Sequence, residues 1–186
     1  GSDAAAGTLA APFRTFRAAL IKAKPGDIIL ARGGTYGTDN MTVCGTAFRP
    51  APSAADCAPD ERYLDGACRW DQYCMVAIND FDGWASSAPA YTVADGTPDH
   101  AITVKAYPGE LPILDMRAAG ARGKAGVLVQ RKGYYTVEGF EIIGHIIAIG
   151  RDGTHDITVR RNHVHSIRTT GGWNPGIVQI DRGDTA

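Results

Sequence analysis

The sequence predicts an all-β protein built as a parallel β-helix, and three recurring patterns lead to that prediction. A β-branched, alternating phrase occurs three times, at residues 102–105, 135–138 and 157–160. A short apolar run lies near each phrase, at 112–114, 141–143 and 163–165. A further run closes each unit, at 126–129, 146–149 and 176–180. Three short strands in a unit of about 20–35 residues are typical of a parallel β-helix, whose units must stack to bury their apolar faces.

Aligning the units by register predicts columns of stacked side chains. Two inward columns are expected: one of Val104, Val137 and Val159, and one of Ile113 or Leu114, Ile142 and Val164. One outward column should hold Lys105, Glu138 and Arg160, and Glu141 should lie over His163. The charges alternate in sign, so neighbours at the strand spacing of about 4.8 Å attract each other. Asn162 is predicted to be a buried asparagine at a bend between strands.

An amphipathic segment opens the chain and is predicted to cap the stack. Residues 12–24 place Phe13, Phe16, Ala19 or Leu20, and Ala23 on one helical face. Pro25-Gly26 ends this helix, residues 27–31 read as the first strand, and Gly33-Gly34 reads as a turn. A helix at this place would shield the open end of the stack from the addition of further strands.

Residues 38–98 do not fit the repeat, and they contain all four cysteines. Cys44, Cys57, Cys68 and Cys74 lie within one short stretch. An even, clustered count favours two disulfides and an oxidising compartment, with three pairings open. Free buried thiols are the alternative; a zinc site is less favoured, because no C-x-x-C pair or nearby histidine supports it. The segment is therefore interpreted as a disulfide-bonded loop insertion leaving the first coil.

The same insertion carries seven of the fifteen aromatic residues, including Trp70 and Trp84. Exposed aromatic rings stack well on sugar faces, so both tryptophans are candidate substrate-binding residues. The alternative is that these rings form a small core of the insertion itself.

Composition excludes several classes of function. The chain has 186 residues and a net charge of −1, which gives no bulk attraction to nucleic acid or to a membrane surface. No apolar run approaches the roughly 18 residues of a membrane span. No Ser/His/Asp arrangement, phosphate-binding loop or nucleotide fingerprint occurs.

Several motifs resemble those of a known group of proteins. The N-terminal motifs are Gly7–Phe13, Lys24–Asp27 and Gly33–Tyr36, and the coil motifs are 102–109 and 135–140. Together they resemble secreted right-handed parallel β-helix proteins, and the nearest enzymes are the pectate-lyase-like polysaccharide lyases, particularly family nine. The resemblance covers residues 1–37 and 101–180.

That resemblance implies β-elimination on a uronic-acid polymer. It implies a calcium ion held by several aspartates, and a lysine or arginine that removes the C5 proton. In the family those residues sit on coils later than those seen here, so no catalytic residue is assigned. We expect one β-helix domain over 1–186, with a cap at 12–24, the insertion at 38–98 and regular coils at 101–186. The chain is also read as the N-terminal part of a longer β-helix.

Three arginines form a candidate binding stripe, because Arg131, Arg151 and Arg182 each follow a third-strand run. Stacked guanidinium groups would suit the carboxylate or sulfate groups of an acidic polysaccharide. Alternatively, Asp152, Asp181 and Asp184 neutralise them within the protein. Asp181 and Asp184 are also the best candidates for calcium ligands. His155, His163 and His165 cluster near Arg160 and Arg161, as solvated side chains or as a metal site or general base.

These observations lead to three hypotheses about function. The first is a secreted or surface-located protein that acts on an acidic polysaccharide, as a lyase or as part of one. The second is a non-catalytic carbohydrate-binding or cell-surface β-helix. The third is a glycoside hydrolase, which needs an Asp/Glu pair about 5–10 Å apart across a groove.

Overall fold

Fourteen strands wind through three sheets, and a short helix lies at the N-terminal end. The computed structural model describes residues 1–150, 153–167 and 178–181, with the backbone alone for Gln179 and Asp181. The helix is α1 (Phe16–Lys22), and 3-10 turns lie at Thr38–Asn40, Ala54–Asp56 and Arg117–Arg122. The strands are β1 (Ile28–Ala31), β2 (Gly34–Tyr36), β3 (Thr42–Pro50), β4 (Arg62–Leu64), β5 (Ala67–Ile78), β6 (Ile102–Ala106), β7 (Pro112–Asp115), β8 (Gly123–Gln130), β9 (Gly133–Glu138), β10 (Glu141–Ile143), β11 (Ile147–Gly150), β12 (His155–Arg160), β13 (His163–His165) and β14 (Val178–Asp181).

The order of the strands in the sheets is that of a parallel β-helix. The first sheet runs β1-β6-β9-β12, and the second runs β2-β7-β10-β13. The third runs β3-β5-β8-β11-β14, with β4 paired to β5. All pairs are parallel except β3 with β5 and β4 with β5. Each coil therefore contributes a strand to each sheet, the first coil contributes β3, β4 and β5 to the third sheet, and the described residues form four stacked coils.

The predicted inward columns are confirmed. Val137 pairs with Val104 on one side and with Val159 on the other. Ile142 pairs with Leu114 and Val164, so Leu114 rather than Ile113 occupies the inward position. Val104, Val137, Leu114 and Ile142 are fully buried. These side chains fill the interior because alternate residues of each strand point inward.

The predicted outward ladder is also confirmed. Glu138 pairs with Lys105 in one neighbouring strand and with Arg160 in the other. The Arg160 Nη2 lies 2.9 Å from Glu138 Oε2, and Arg161 Nη1 lies 2.8 Å from Oε1. Hydrogen bonding from Arg160 lowers the pKa of Glu138, so this carboxylate stays ionised between the two guanidinium groups.

The turns between sheets repeat a left-handed backbone at the same place in successive coils. After the first-sheet strands, Gly139 has φ 84° and Arg161 has φ 55°. After the second-sheet strands, Gly144 has φ 88° and Ser166 has φ 54°. Glycine meets this requirement without cost in one coil, and in the next coil other residues adopt the same conformation.

Asn162 joins two coils at such a turn, as predicted. Its Oδ1 accepts a hydrogen bond from the Phe140 N–H (3.0 Å), and its Nδ2 donates one to the Val137 carbonyl (3.0 Å). The amide thus satisfies two backbone groups that the bend would otherwise leave without partners.

The cap helix is present but shorter than the 12–24 predicted from its amphipathic face. It begins at Phe16, because the Thr15 hydroxyl accepts a hydrogen bond from the Ala18 N–H as an N-cap. The Phe16 ring is buried, with its centroid 5.9 Å from that of Phe140, so it closes the end of the interior. No helix in the described part of the chain is long and apolar enough to cross a membrane.

The insertion is more regular than the predicted loop. β3 and β5 form a long antiparallel pair with an irregularity between Val43 and Gly45. The end of β5, Cys74–Ile78, then pairs in parallel with β8 and is the third side of the first coil. These strands could not be predicted from the repeat, because their antiparallel pairing does not follow the period of the coils. The prolines and cysteines of the segment instead indicated a loop.

Two disulfides are confirmed, and the open choice of pairing is resolved. Cys44 joins Cys74, and Cys57 joins Cys68, with no free cysteine in the described residues. The first bond fixes the start of β3 to the point where β5 enters the third sheet. The second fixes the tip of the insertion. The zinc and free-thiol alternatives are therefore excluded for these residues.

We expect Asn162→Ala to lower the free energy of unfolding by about 1–3 kcal/mol, because it leaves the Phe140 N–H and the Val137 carbonyl without their partner. Urea unfolding followed by circular dichroism measures the change. Thr158→Ala, at an exposed position on β12, is the control. A loss within about 0.5 kcal/mol, which is usual for surface substitutions, would contradict the bridging role.

We expect the pair Cys44→Ala/Cys74→Ala to be more destabilising than the pair Cys57→Ala/Cys68→Ala. The bonds close sequence separations of 30 and 11 residues. Loop-closure entropy then gives about 4 and about 3 kcal/mol, respectively. Urea unfolding of both double variants tests this order. Free thiols in the denatured, unreduced parent protein would refute both bonds.

Candidate functional site

A polar cleft beside the third sheet is the best candidate site, because charged groups from several segments converge there. Its volume is about 650 Å³. We call it the third-sheet cleft; its lining includes Gly45, Asn79, Asp80, Asp82, Tyr91, Lys124 and Arg131. A smaller space of about 420 Å³ lies between the N-terminal segment and β1. That space is lined by apolar residues such as Leu9, Phe13 and Ile28, and also by the charged residues Arg14, Lys22, Asp27 and Arg32.

One wall of the cleft is fixed by Asn79, which directly follows β5. Its Nδ2 donates to the Cys44 carbonyl (3.1 Å), and its Oδ1 accepts from the Tyr91 hydroxyl (2.9 Å). Burial raises the pKa of Tyr91, so the phenol stays neutral and remains a donor. Residues from three segments of the insertion are thereby held in one arrangement at the cleft.

The base of this wall depends on Lys132, whose side chain is 7% exposed. Its Nζ lies 2.9 Å from the carboxylate of Asp80 and donates to the Val93 carbonyl at 2.8 Å. Asp95 Oδ1 accepts from the Gly133 N–H at 2.7 Å. The segment from Asp80 to Asp95 is thus fastened to the start of the third coil. We call this arrangement the Lys132 clamp.

Lys124 lies in β8 and is almost fully buried against the insertion. A Cβ at Gly45 would approach Lys124 Nζ to 2.8 Å, so the absence of a side chain at Gly45 makes room for this ammonium group. The irregularity of pairing between Val43 and Gly45 brings the glycine to this place. A cation is therefore built into the floor of the cleft.

Arg131 contributes an exposed guanidinium group at the rim. Its backbone is left-handed, with φ 55°, and its N–H donates to Thr154 Oγ1 at 2.7 Å. Thr154 in turn donates to the Gly150 carbonyl at 2.7 Å, which ties the turn to the following coil. Within the described residues, no carboxylate forms an ion pair with Arg131. Its fork is therefore available to an anion from solution.

The remaining members of the predicted arginine stripe, Arg151 and Arg182, lie outside the described residues, as do Asp152 and Asp184. The strand register up to Gly150 is the one from which the stripe was predicted, since Gly150 pairs with Gln130 and with Asp181. Of Asp181 only the backbone is described. The stripe, and the aspartates as its internal partners, stay predictions.

The two tryptophans lie apart from each other and do not line the third-sheet cleft. The Arg69 guanidinium stacks 4.3 Å from the centre of the Trp84 ring, and it lies 5.2 Å from that of Phe48. Trp84 is 50% exposed. Strand alternation places Trp70, half-buried in β5, on the face opposite Arg69. Of these two rings, that of Trp84 is the more exposed, and a role of Trp70 and Trp84 in binding a substrate stays a prediction.

Calcium does not match the groups that the described residues bring together. Two clusters have three potential ligands: Cys57, Glu61 and Cys68, and Glu141, His163 and His165. The first contains a disulfide, so its sulfurs are not thiolates. The second has two imidazoles, whereas calcium takes oxygen ligands. The expectation for Asp181 and Asp184 thus stays a prediction, and no reaction step is derived through calcium.

Sequence analysis found Arg131 but missed most of the cleft. Lys124 lies 79 positions from Gly45, and Lys132 lies 52 positions from Asp80. Gly45 and Asp80 belong to the insertion, which does not follow the repeat, so no repeat pattern joins them to these lysines.

The fold and the cleft define the class: a parallel β-helix with a polar groove along one sheet. A family model described as "Pel9A-like, right handed beta helix region" matches residues 1–184, and the chain belongs to that family. The resemblance drawn from the sequence motifs is thereby confirmed, including the right-handed coil. Searches of curated proteins and of solved structures found no match.

We expect Lys132→Met to loosen the segment 80–95 and to lower the free energy of unfolding by about 1–3 kcal/mol, because charge-assisted hydrogen bonds at Asp80 and Val93 are lost. Hydrogen–deuterium exchange of the 80–95 amides measures the local effect. Lys105→Met, on the outer face of the first sheet, is the matched control. Unchanged protection of 80–95 would show that the Lys132 clamp does not hold this wall.

Proposed function

We propose that the chain is an extracellular polysaccharide-active protein that cleaves an acidic polysaccharide by β-elimination, or is the N-terminal part of such a lyase. Membership of the Pel9A-like β-helix family supports action on a polysaccharide. The single observation that carries the preference for acidic sugars is the exposed Arg131 fork at the third-sheet cleft, which has no ion-pair partner among the described residues.

The cleft has complementary groups for both parts of a uronate residue. Arg131 can bind a sugar carboxylate through two parallel hydrogen bonds, which is the preferred geometry of a guanidinium group. Asp82 is exposed at the same cleft and can accept hydrogen bonds from sugar hydroxyls. Lys124, which has a partner of its own within the protein, is a second basic residue in the lining of the cleft.

The proposed chemistry is elimination across C4 and C5 of a uronate. A base removes the C5 proton, the electron pair forms the C4=C5 double bond, and the C4–O bond to the preceding sugar breaks. The departing oxygen takes up a proton and becomes a new chain end. Positive charge at Arg131 would stabilise the negative charge that develops on the substrate carboxylate. The proton-accepting base is not assigned.

Trp84 would extend the binding surface beyond the cleft. Asp82, at the cleft, accepts a hydrogen bond from the Trp84 backbone N–H at 2.9 Å, so the ring lies close along the chain. One side of this ring is stacked on Arg69, and half of its surface is exposed. A sugar ring can stack on such an aromatic face.

An extracellular location is the second part of the proposal. It is supported by two disulfides, which persist in oxidising compartments. Calcium is proposed as a cofactor on the resemblance alone, with Asp181 and Asp184 as candidate ligands.

The test is incubation of the purified protein with polygalacturonate and other uronate polymers, with calcium or with a calcium chelator. Appearance of the unsaturated product, followed by its ultraviolet absorbance, is expected. Binding without product, measured by affinity electrophoresis, would favour the non-catalytic carbohydrate-binding module. New reducing ends without unsaturation would favour a glycoside hydrolase.

We expect Arg131→Ala to weaken binding of the acidic polymer by about tenfold or more, since a charge-assisted pair contributes about 1.5–3 kcal/mol. Arg161→Ala is the matched control, because Arg161 is an exposed arginine with the same φ of 55° at a different turn. Affinity of the parent should fall with added salt. Equal affinity of the two variants would remove Arg131 from the binding site.

A further inference from the structure

We propose that Glu141, His163 and His165 bind a zinc ion on the outer face of the second sheet. This site is separate from the third-sheet cleft and is independent of the proposed lyase activity. The three side chains offer one carboxylate and two imidazoles, and their ligand atoms all lie within 4.8 Å of one another.

The stacking of the coils creates this arrangement. His163 and His165 are two positions apart on β13, with the inward Val164 between them. Both imidazoles therefore project outward from the same face. The parallel register places Glu141 of β10 directly beside His163. A His-x-His pair from one strand thus receives a carboxylate from the adjacent strand, about 4.8 Å away.

The distances need little adjustment to accept a metal. His165 Nε2 lies 2.9 Å from Glu141 Oε1, and the two imidazole ring centroids are 4.7 Å apart. Zinc bonds of about 2.0–2.2 Å in tetrahedral geometry place neighbouring ligand atoms about 3.3 Å apart. The His165–Glu141 pair therefore needs to separate by only a few tenths of an ångström, and the His163 nitrogen, which lies within 4.8 Å of both ligand atoms, reaches the ion by rotation of its side chain.

His163 gives a reason to expect a ligand rather than a simple ion pair. Within the part of the chain that the structure describes, no group hydrogen-bonds to the His163 ring, which only stacks on His165. Both of its nitrogens are therefore available to a metal. A metal ion would give this imidazole the polar partner that it lacks in the protein.

His165 has the second partner that metal-binding histidines usually require. Its Nδ1 lies 3.0 Å from Ser166 Oγ, whose hydroxyl can donate or accept a hydrogen bond. Without metal, Nε2–H donates to Glu141 and Ser166 donates to Nδ1. With zinc on Nε2, the ring proton moves to Nδ1 and is donated to Ser166.

The ligand set selects the metal. Two imidazoles and one carboxylate suit zinc and neighbouring first-row ions, whereas calcium and magnesium take oxygen ligands. Three protein ligands leave a fourth tetrahedral position for water. The ion would join the third coil, through Glu141, to the fourth coil, through His163 and His165. It would act as a clip across the stack.

Zinc binding to the full chain, without an affinity tag and after removal of metal by chelation, is measured by isothermal titration calorimetry with zinc chloride. We expect one zinc per chain, and an excess of calcium chloride should not displace zinc from this site. His163→Ala, His165→Ala and Glu141→Gln should each weaken binding by at least about tenfold. His155→Ala is the matched control, because His155 also lies within hydrogen-bond distance of a carboxylate, at 2.9 Å from Asp156.

Cobalt substitution supplies a second readout. Cobalt in the parent and in the His155→Ala protein should give the intense visible absorption of tetrahedral coordination, and the three ligand variants should lose it. Far-UV circular dichroism checks that each variant is folded. Absence of saturable zinc binding, equal affinity in the ligand variants, or loss of binding in His155→Ala would overturn the proposal.

Discussion

The structure depends on the parallel register that stacks each coil on the one before it. A single coil has three short strands and one inward face, so it cannot remove that face from water alone. Val137 is fully buried because Val104 and Val159 lie on either side of it in the column. A shift of one residue would turn the inward side chains outward and would separate Glu138 from its arginine partners. Apolar burial and the charge ladder therefore select the same register.

The insertion is joined to this stack rather than attached at its surface. β5 begins in an antiparallel pair and ends as a strand of the third sheet, so one strand belongs to both parts. The Cys44–Cys74 disulfide lies at that transition, and the Lys132 clamp fastens the segment from Asp80 to Asp95 to the start of the third coil. Both fix the segments that line the cleft. A binding surface made of irregular chain is thereby given the rigidity of the sheet beneath it.

The sequence was sufficient to predict features that follow the repeat. Columns of valines, the Glu138 ladder and the bridging Asn162 could be predicted because each depends on residues about one coil apart. The helix start at Phe16 and the strands within 38–98 could not be predicted in this way. The helix start depends on the Thr15 cap, and the strands depend on an antiparallel pairing with its own period. The disulfide count followed from composition, whereas the pairing required the relative position of β3 and β5.

The candidate sites also contain residues that could be predicted from the sequence and residues that could not. The Arg131 position could be predicted because it follows a repeated strand, while Lys124 and Asn79 reach the cleft through contacts of the insertion that no period encodes. The His-x-His pair was visible in the sequence, yet its carboxylate became evident only through the register of β10 with β13.

Outward positions other than the Glu138 ladder contribute less to the register than the inward columns and the backbone pairing do. Chemistry can therefore change on the outer faces while the stack persists, which is why membership of a β-helix family indicates a scaffold more firmly than a reaction. For this chain, a preference for acidic sugars accordingly depends on Arg131 itself. Zinc binding likewise depends on Glu141, His163 and His165, and loss of one property would leave the other unchanged.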